Sequence, residues 1–272
     1  MLYLCATPIG NLEDITYRVV RILGEADVIY AEDTRRTVQL LSHLGLKKPL
    51  CSCHGHNERE KAKEIVALAA QGKNVAVVSD AGMPGISDPG AEVVAAAIEA
   101  GVPFTVAPGA SAAVTSVVLS GLPCGRFVFE GFLPREKKPR RERLTLLKAE
   151  TRTTVLYESP FRLRDTLLEL REELGDRPAA VCRELTKIHE EAVRGTLSEL
   201  AAHYAEPPKG ECVIVLSGGQ PKEKARLPVE EQLAIMQQRI DAGEKPKAAA
   251  KAAAQGISPS ELYRLYVRQE GE

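Results

Sequence analysis

The chain has 272 residues, of which 44% are hydrophobic, 27% charged and 4% aromatic, and its formal net charge is −1. That length supports a sizeable core and two domains, and the balanced charge excludes a whole-molecule basic field, so attraction to nucleic acid would have to come from local patches. No run approaches ~18 apolar residues, no signal-peptide pattern opens the chain, and the six scattered cysteines lie partly in apolar, strand-like segments, which points to reduced thiols, a cytoplasmic home and no membrane.

Apolar runs alternate with helix-period segments from the start. Residues 2–6 read as a strand, 15–23 as a helix ended by Gly24, 28–31 as a strand, and 35–44 as a helix stopped by Gly45. Residues 58–70 follow as a helix, 75–78 as a buried strand, 89–100 as a helix, 104–107 as a strand and 111–120 as a helix. Such a βα series predicts a mainly parallel sheet with helices on both faces. Gly121-Leu122-Pro123-Cys124-Gly125-Arg126 breaks the rhythm and reads as a domain boundary. A second series follows: strand 127–132, helix 141–150, strand 153–157, helix 162–174, then 179–183 and 191–195 as a hairpin, helix 198–204 and strand 211–216. The expected organisation is an α/β domain over 1–120, a second α/β domain over 121–218, a linker over 219–228 and a helical domain over 229–272. In the last, helices 229–242, 247–255 and 261–268 resemble a helix-turn-helix, opened at Ser258-Pro259-Ser260-Glu261 by a capping box.

Ser79 to Gly90, after the strand 75–78, is the most informative loop. It is built of small residues around Asp80, and Asp88 with Pro89 reads as the cap and first position of the next helix. Three other strand-end loops share this character: Ala6 to Leu12, Ala31 to Thr37, and Pro108 to Ala112. Four such loops at carboxyl strand ends are expected to line one crevice. The phosphate-binding P-loop, the dinucleotide glycine fingerprint and the nucleophile elbow are all absent from the sequence. A neutral-to-cationic ligand with an adenosine part would suit such loops. Cys51-Ser52-Cys53-His54-Gly55-His56 lacks the spacing of a metal site and reads as a strand end plus loop, so no metal is expected.

Thr7-Pro8-Ile9-Gly10-Asn11-Leu12-Glu13-Asp14-Ile15-Thr16, Glu32-Asp33-Thr34-Arg35, His56-Asn57-Glu58, Ser79 to Gly90, Pro108-Gly109-Ala110-Ser111, Tyr157-Glu158-Ser159-Pro160 and Arg183-Glu184-Leu185-Thr186-Lys187 resemble, in order, the blocks of the 16S rRNA-modifying branch of the tetrapyrrole methylase (class III methyltransferase) superfamily. The resemblance spans roughly residues 1–218 and extends to the helical tail. Around His54 the chain departs from it, with Cys53 and Gly55 at the flanking positions.

The resemblance implies two α/β domains with S-adenosyl-L-methionine in the cleft between them. It implies methyl transfer to the ribose 2′-oxygen of a cytidine in the decoding region of 16S rRNA, free or in the 30S subunit, by a homodimer. Cofactor contacts carry over to Pro8, Ile9, Asp80, Met83, Ser111 and Ala112, and from the second domain to Tyr157, Cys182 and Glu211. The attacking hydroxyl gains from a general base, for which Asp33, Glu158 and His56 are candidates. In this reading Asp33 orients or deprotonates the hydroxyl while Arg35 grips a neighbouring phosphate. RNA contacts are expected from Arg35 and Arg36, from the cluster of Arg135, Lys137, Lys138, Arg140, Arg141 and Arg143, and from Lys245, Lys247, Lys251, Arg264 and Arg268 in the tail. A tetrapyrrole or other small-molecule methylase, or a non-catalytic RNA-binding module of the same fold, are the alternatives.

Overall fold

The computed structural model describes residues 1–219 and 227–270. The chain divides into two compact units, Met1–Gly219 and Gln220–Glu272. Most of the expected linker, residues 220–226, lies outside the described residues.

The first unit holds two five-stranded sheets. The first sheet contains β1 (Leu2–Cys5), β2 (Val28–Ala31), β3 (Leu50–Ser52), β4 (Val75–Val78) and β5 (Phe104–Ala107), in the order β3-β2-β4-β1-β5. Every pairing in it is parallel. Such a sheet is buried on both faces, which accounts for the continuous apolar run of β4. Its helices are α1 (Tyr17–Glu25), α2 (Thr34–His43), α3 (Glu58–Ala70) and α4 (Ala91–Glu99). Ala62 and Ile65 of α3 and Val93 and Ala97 of α4 pack on Leu2, Tyr30, Val75 and Val77. On the opposite face, Val19, Ile22 and Leu41 of α1 and α2 pack on Cys5, Ile29, Ala76 and Val78.

The second sheet contains β6 (Phe127–Phe132), β7 (Thr153–Glu158), β8 (Pro178–Arg183), β9 (Glu191–Thr196) and β10 (Cys212–Leu216), in the order β6-β7-β10-β8-β9. Only β6 and β7 run parallel; β8 and β9 form the expected hairpin. One face is covered by α6 (Lys137–Ala149), α7 (Leu163–Leu174) and α8 (Leu197–His203), through Leu144, Leu147, Leu167, Leu170 and Leu200. The other face is covered by α5 (Ala112–Ser120), whose Ala113 and Val117 pack on Val155, Cys182, Val213 and Val215. Thus α5, which follows the last strand of the first sheet, packs on the second. The boundary expected at residue 121 falls between this helix and the sheet it covers.

The second unit is three helices, α9 (Val229–Asp241), α10 (Pro246–Ala253) and α11 (Pro259–Glu270), around Leu233, Met236, Ala249, Ala253, Leu262 and Tyr266. Buried Gln232 ties it together. Its amide nitrogen donates to the carbonyls of Leu227 (2.6 Å) and Gln255 (3.0 Å), and its oxygen accepts the Gln255 N–H (2.8 Å). Ser258 caps α11 by accepting the Glu261 N–H at 3.2 Å.

Candidate active site

All four strand-end loops of the first sheet meet. Thr7 and Gly82 exchange both backbone hydrogen bonds, at 2.8 and 3.0 Å, and the Thr7 hydroxyl donates to the Ser79 carbonyl at 3.1 Å. Gly82, at φ 75°, takes a left-handed conformation that favours glycine, and lies in ordinary contact range of the loops after β1 and β5. A Cβ there would sit 3.5 Å from Ile9 Cγ2 and 3.8 Å from the Ala110 carbonyl. The loop after β2 is drawn in by Asp80, whose Oδ1 accepts the Asp33 N–H at 2.9 Å and whose Oδ2 pairs with Arg36 at 3.5 Å. Asp80 N–H in turn donates to the Glu32 carboxylate at 3.3 Å.

The second sheet closes the other side. A Cβ on Gly10 would lie 2.7 Å from the Leu185 carbonyl and 2.8 Å from Thr186 Oγ1, so the β1 loop lies hard against the β8–β9 turn. Ser87 Oγ lies against Gly131 of β6, 3.4 Å from where its Cβ would be. Ile9 and Ala112 pack with Tyr157, Cys182 and Leu185 in one cluster. The Tyr157 hydroxyl lies by the Ala113 N–H, which eases its ionisation against the raising effect of burial, and its ring meets Phe129 and Phe132 edge-on at 5.0 and 5.6 Å. Ser111 caps α5, accepting from the Val114 N–H. Cys182 is fully buried, its thiol pushed up to about 11 by burial. Pro8 and Met83 are half-buried, and Glu211 is exposed just before β10. Among the described non-glycine residues, positive φ occurs at Ser87 (64°), Glu184 (50°) and Thr186 (65°), all in loops lining this crevice. Backbone strain of this kind collects where loops face a ligand.

The crevice is acidic. Asp88 lies within electrostatic reach of Glu32, Asp80 and Glu211, and its carboxyl is pushed up to about 7, first by burial and then by those three charges. Glu32 is also raised, chiefly by burial. Three carboxylates partly shielded from water, with exposed Glu211 beside them and Arg36 as a counter-charge on Asp80, favour a cationic guest.

Two expected catalytic residues are committed elsewhere. Glu158 is 2% exposed and shares the face of β7 that carries Leu156, opposite Tyr157. Its oxygens accept from Ser159 N–H (2.7 Å), Arg162 (2.6 Å) and Thr166 Oγ1 (2.8 Å). It anchors the β7–α7 turn, away from the crevice. Asp33 caps α2 and is gripped by Arg35, Oδ1 taking the backbone N–H at 2.9 Å and Nε at 3.0 Å, Oδ2 taking the terminal nitrogen at 2.6 Å. Those bonds hold its carboxyl at about 2, which makes it a weak proton acceptor. Arg35 itself is 87% exposed and available to a phosphate on its outer side. His56 is exposed just before α3, with its ring 6.0 Å from that of His54.

The start of α4 also differs from expectation. Its N-cap is Gly90, at φ 145°, not Asp88. The cap comes from α3: Glu58 Oε1 accepts the N–H groups of Gly90 (2.6 Å) and Glu92 (3.0 Å). Asp88 is thereby left to the crevice. The Asp-Pro-Gly string mimics a local cap, and the true partner lies a helix away, beyond the reach of local sequence signals.

Of the expected RNA-contacting cations, Arg135, Lys137, Lys138 and Arg141 are exposed. The last three line an open concavity of about 460 Å³ with Glu142 and Thr145. Arg140 is turned inward, bonded to Glu169 (2.6 Å), Thr166 (3.0 Å) and the Pro134 carbonyl (3.3 Å), and Arg143 is held by Glu130 at 2.5 Å through two bonds. Lys245, Lys247, Lys251, Arg264 and Arg268 are exposed on the helical unit. Among the described residues, no three His, Cys, Asp or Glu side chains come together as a metal would need, and no helix is long and apolar enough to cross a membrane.

The sequence pattern of the tetrapyrrole (corrin/porphyrin) methylases matches residues 1–201. Over 97% of its length the chain is 46% identical to the "Ribosomal RNA small subunit methyltransferase I" of Halalkalibacterium halodurans, covering 94% of that protein. Over 80% of its length it is 49% identical to the protein of the same name from Thermotoga maritima, covering 98% of it. Among solved structures, the methyltransferase CobJ superposes with a TM-score of 0.63 at 20% identity, over 80% of this chain and 93% of that one. A uroporphyrin-III C-methyltransferase from Thermus thermophilus, complexed with S-adenosylhomocysteine, superposes with a TM-score of 0.56 at 21% identity, over 81% and 97% of the two chains.

Proposed function

The chain belongs to the tetrapyrrole (corrin/porphyrin) methylase family and is a methyltransferase, and from that premise we propose that it uses S-adenosyl-L-methionine to methylate the ribose 2′-oxygen of a cytidine in the decoding region of 16S rRNA. The observation that carries the reading is the four-loop acidic crevice, in a chain nearly half identical to proteins named for small-subunit rRNA methylation.

The residues present suit the methyl donor, whose sulfonium methyl is electrophilic and needs chiefly to be positioned. Glu32, Asp80, Asp88 and Glu211 supply negative potential for a cation. Ile9, Ala112 and Tyr157 supply an apolar wall, with Pro8, Met83, Ser111 and Cys182 beside it. Gly109 lets backbone come close; a Cβ there would lie 2.9 Å from that of Ala6. Arg35 and Arg36, with Arg135, Lys137, Lys138 and Arg141, are the phosphate contacts on the first unit, and Lys247, Lys251 and Arg264 those on the second. The remaining part of the reading is a cytoplasmic homodimer. Val114 and Val118, one turn apart on α5, expose 53% and 69% of their surface and offer an apolar face to a second copy.

Transfer of a labelled methyl group to 30S subunits and to naked 16S rRNA, followed by nucleoside analysis, tests this function. Label on a cytidine ribose supports it; label on a base, or none on either RNA, overturns it.

A further inference from the structure

We propose that the Asp88 carboxylate takes the proton from the attacking hydroxyl. The inference rests on the function proposed above and adds to it the identity of the base.

Asp88 has no hydrogen bond or ion pair with any described residue, unlike Asp33 and Glu158, whose oxygens are all engaged. Its loop is rigid on both sides. Ser87 is pinned against Gly131 in a left-handed conformation, and Gly90 is pressed on the backbone of Pro84 and Gly85, where a Cβ would come within 2.9 and 2.6 Å. Glu58 of α3 holds the N–H groups that follow. The carboxylate therefore stands at a fixed place, in a loop that touches both sheets.

The charged and titratable groups facing it are Glu32 after β2, Asp80 after β4, Tyr157 on β7 and Glu211 before β10; Arg36 of α2 is engaged with Asp80. With a carboxyl at about 7, Asp88 binds and releases a proton near neutrality, the property a general base needs. In the step, the hydroxyl oxygen forms the new O–C bond while its proton passes to Asp88. The C–S bond breaks and its electron pair stays on sulfur, so cation plus carboxylate become a neutral thioether and a neutral acid. The same carboxylate is neutralised by the charge it serves. A bound sulfonium draws the proton off Asp88 and readies it, whereas the uncharged thioether product does not.

Calorimetric titration with S-adenosylmethionine at pH 7, in buffers of different ionisation enthalpy, reads this directly. The wild-type protein is expected to release about half a proton on binding; S-adenosylhomocysteine is expected to release far less, and Asp88→Asn none beyond that baseline. In rate measurements Asp88→Asn is expected to fall about 100-fold or more and to lose the rise through pH 7. Retained S-adenosylhomocysteine affinity of Asp88→Asn in the same titrations guards against misfolding as the cause. Equal proton release by variant and wild type, or an unchanged pH profile, overturns the proposal. Failure of the wild type to bind S-adenosylmethionine overturns the function itself, a result distinct from binding without proton release.

Discussion

The Asp80 carboxylate accepts the backbone N–H of Asp33 at 2.9 Å, joining two strand-end loops separated by 47 residues into one wall of the crevice. Its second oxygen faces Arg36 and its backbone N–H meets Glu32, so one residue fixes the sites of three charges. Asp80→Ala is expected to weaken S-adenosylmethionine binding by tenfold or more and to cost about 2 kcal/mol in stability, since a charged acceptor is lost and an N–H orphaned. Calorimetry and denaturant melts on the same preparation check both.

Asp33 is expected to tolerate the change its neighbour does not. Asn is as good an N-cap as Asp, and a carboxyl held at about 2 carries its charge throughout the working range. Asp33→Asn should keep methyl transfer within a few-fold of wild type, with the same pH dependence between pH 6 and 9. A loss of 100-fold would return Asp33 to the role of base.

Glu158→Ala should act on folding and leave the cofactor alone. The substitution strands Arg162, the Ser159 N–H and the Thr166 hydroxyl around a site 2% exposed, and it is expected to cost about 3 kcal/mol. The dissociation constant for S-adenosylmethionine, measured well below the melting temperature, is expected to stay within twofold.

Charge reversal at Lys137, Lys138 and Arg141 is expected to weaken rRNA binding and to reduce the slope of log affinity against log salt by about 2–3. Arg140→Ala, three residues at most from all three, is expected to lower the melting temperature instead, because its guanidinium is spent on Glu169, Thr166 and the Pro134 carbonyl. Filter binding across a salt series, beside thermal melts, separates the two behaviours.

Asp88 gives stability a pH signature. Its folded carboxyl titrates at about 7, above its ordinary value near 4, so the folded state holds a proton that the unfolded state has given up. The contribution is whole below pH 4, declines as pH rises, and is gone above pH 7. Asp88→Asn should therefore match wild type in melting temperature near pH 4, exceed it increasingly up to about pH 7 and hold a level margin above that, without ligand. A parallel pair of curves would contradict the burial and repulsion that raise the group.

The strands of the first sheet were legible because buried parallel strands are short continuous apolar runs; Val28–Ala31, Val75–Val78 and Phe104–Ala107 fall where the sequence puts them. The strand at Leu50–Ser52 shows in the sequence only as a strand end at Cys51 and Ser52, because it is three residues long and mixed Leu-Cys-Ser, at the sheet edge beside β2. Helix α6 begins at Lys137, four residues before the sequence suggests, because Pro139 reads as a stop yet is tolerated in a first turn, where its missing N–H has no partner to lose. For the crevice, the four loops were visible as small-residue strings at strand ends. What each carboxylate does was not, because Asp33, Asp88 and Glu158 differ only in their partners: Arg35 two residues on, none, and Arg162 with Thr166.

β1 lies between β4 and β5, and both of its neighbours are made long after it. The strand leaves the ribosome with nothing to pair with, and some hundred residues must follow before both edges are taken. Until then Leu2-Tyr3-Leu4-Cys5 is an unpaired apolar segment, open to non-native contacts. Circular permutation that places this segment beside residues 104–107 should speed refolding and leave the finished enzyme unchanged.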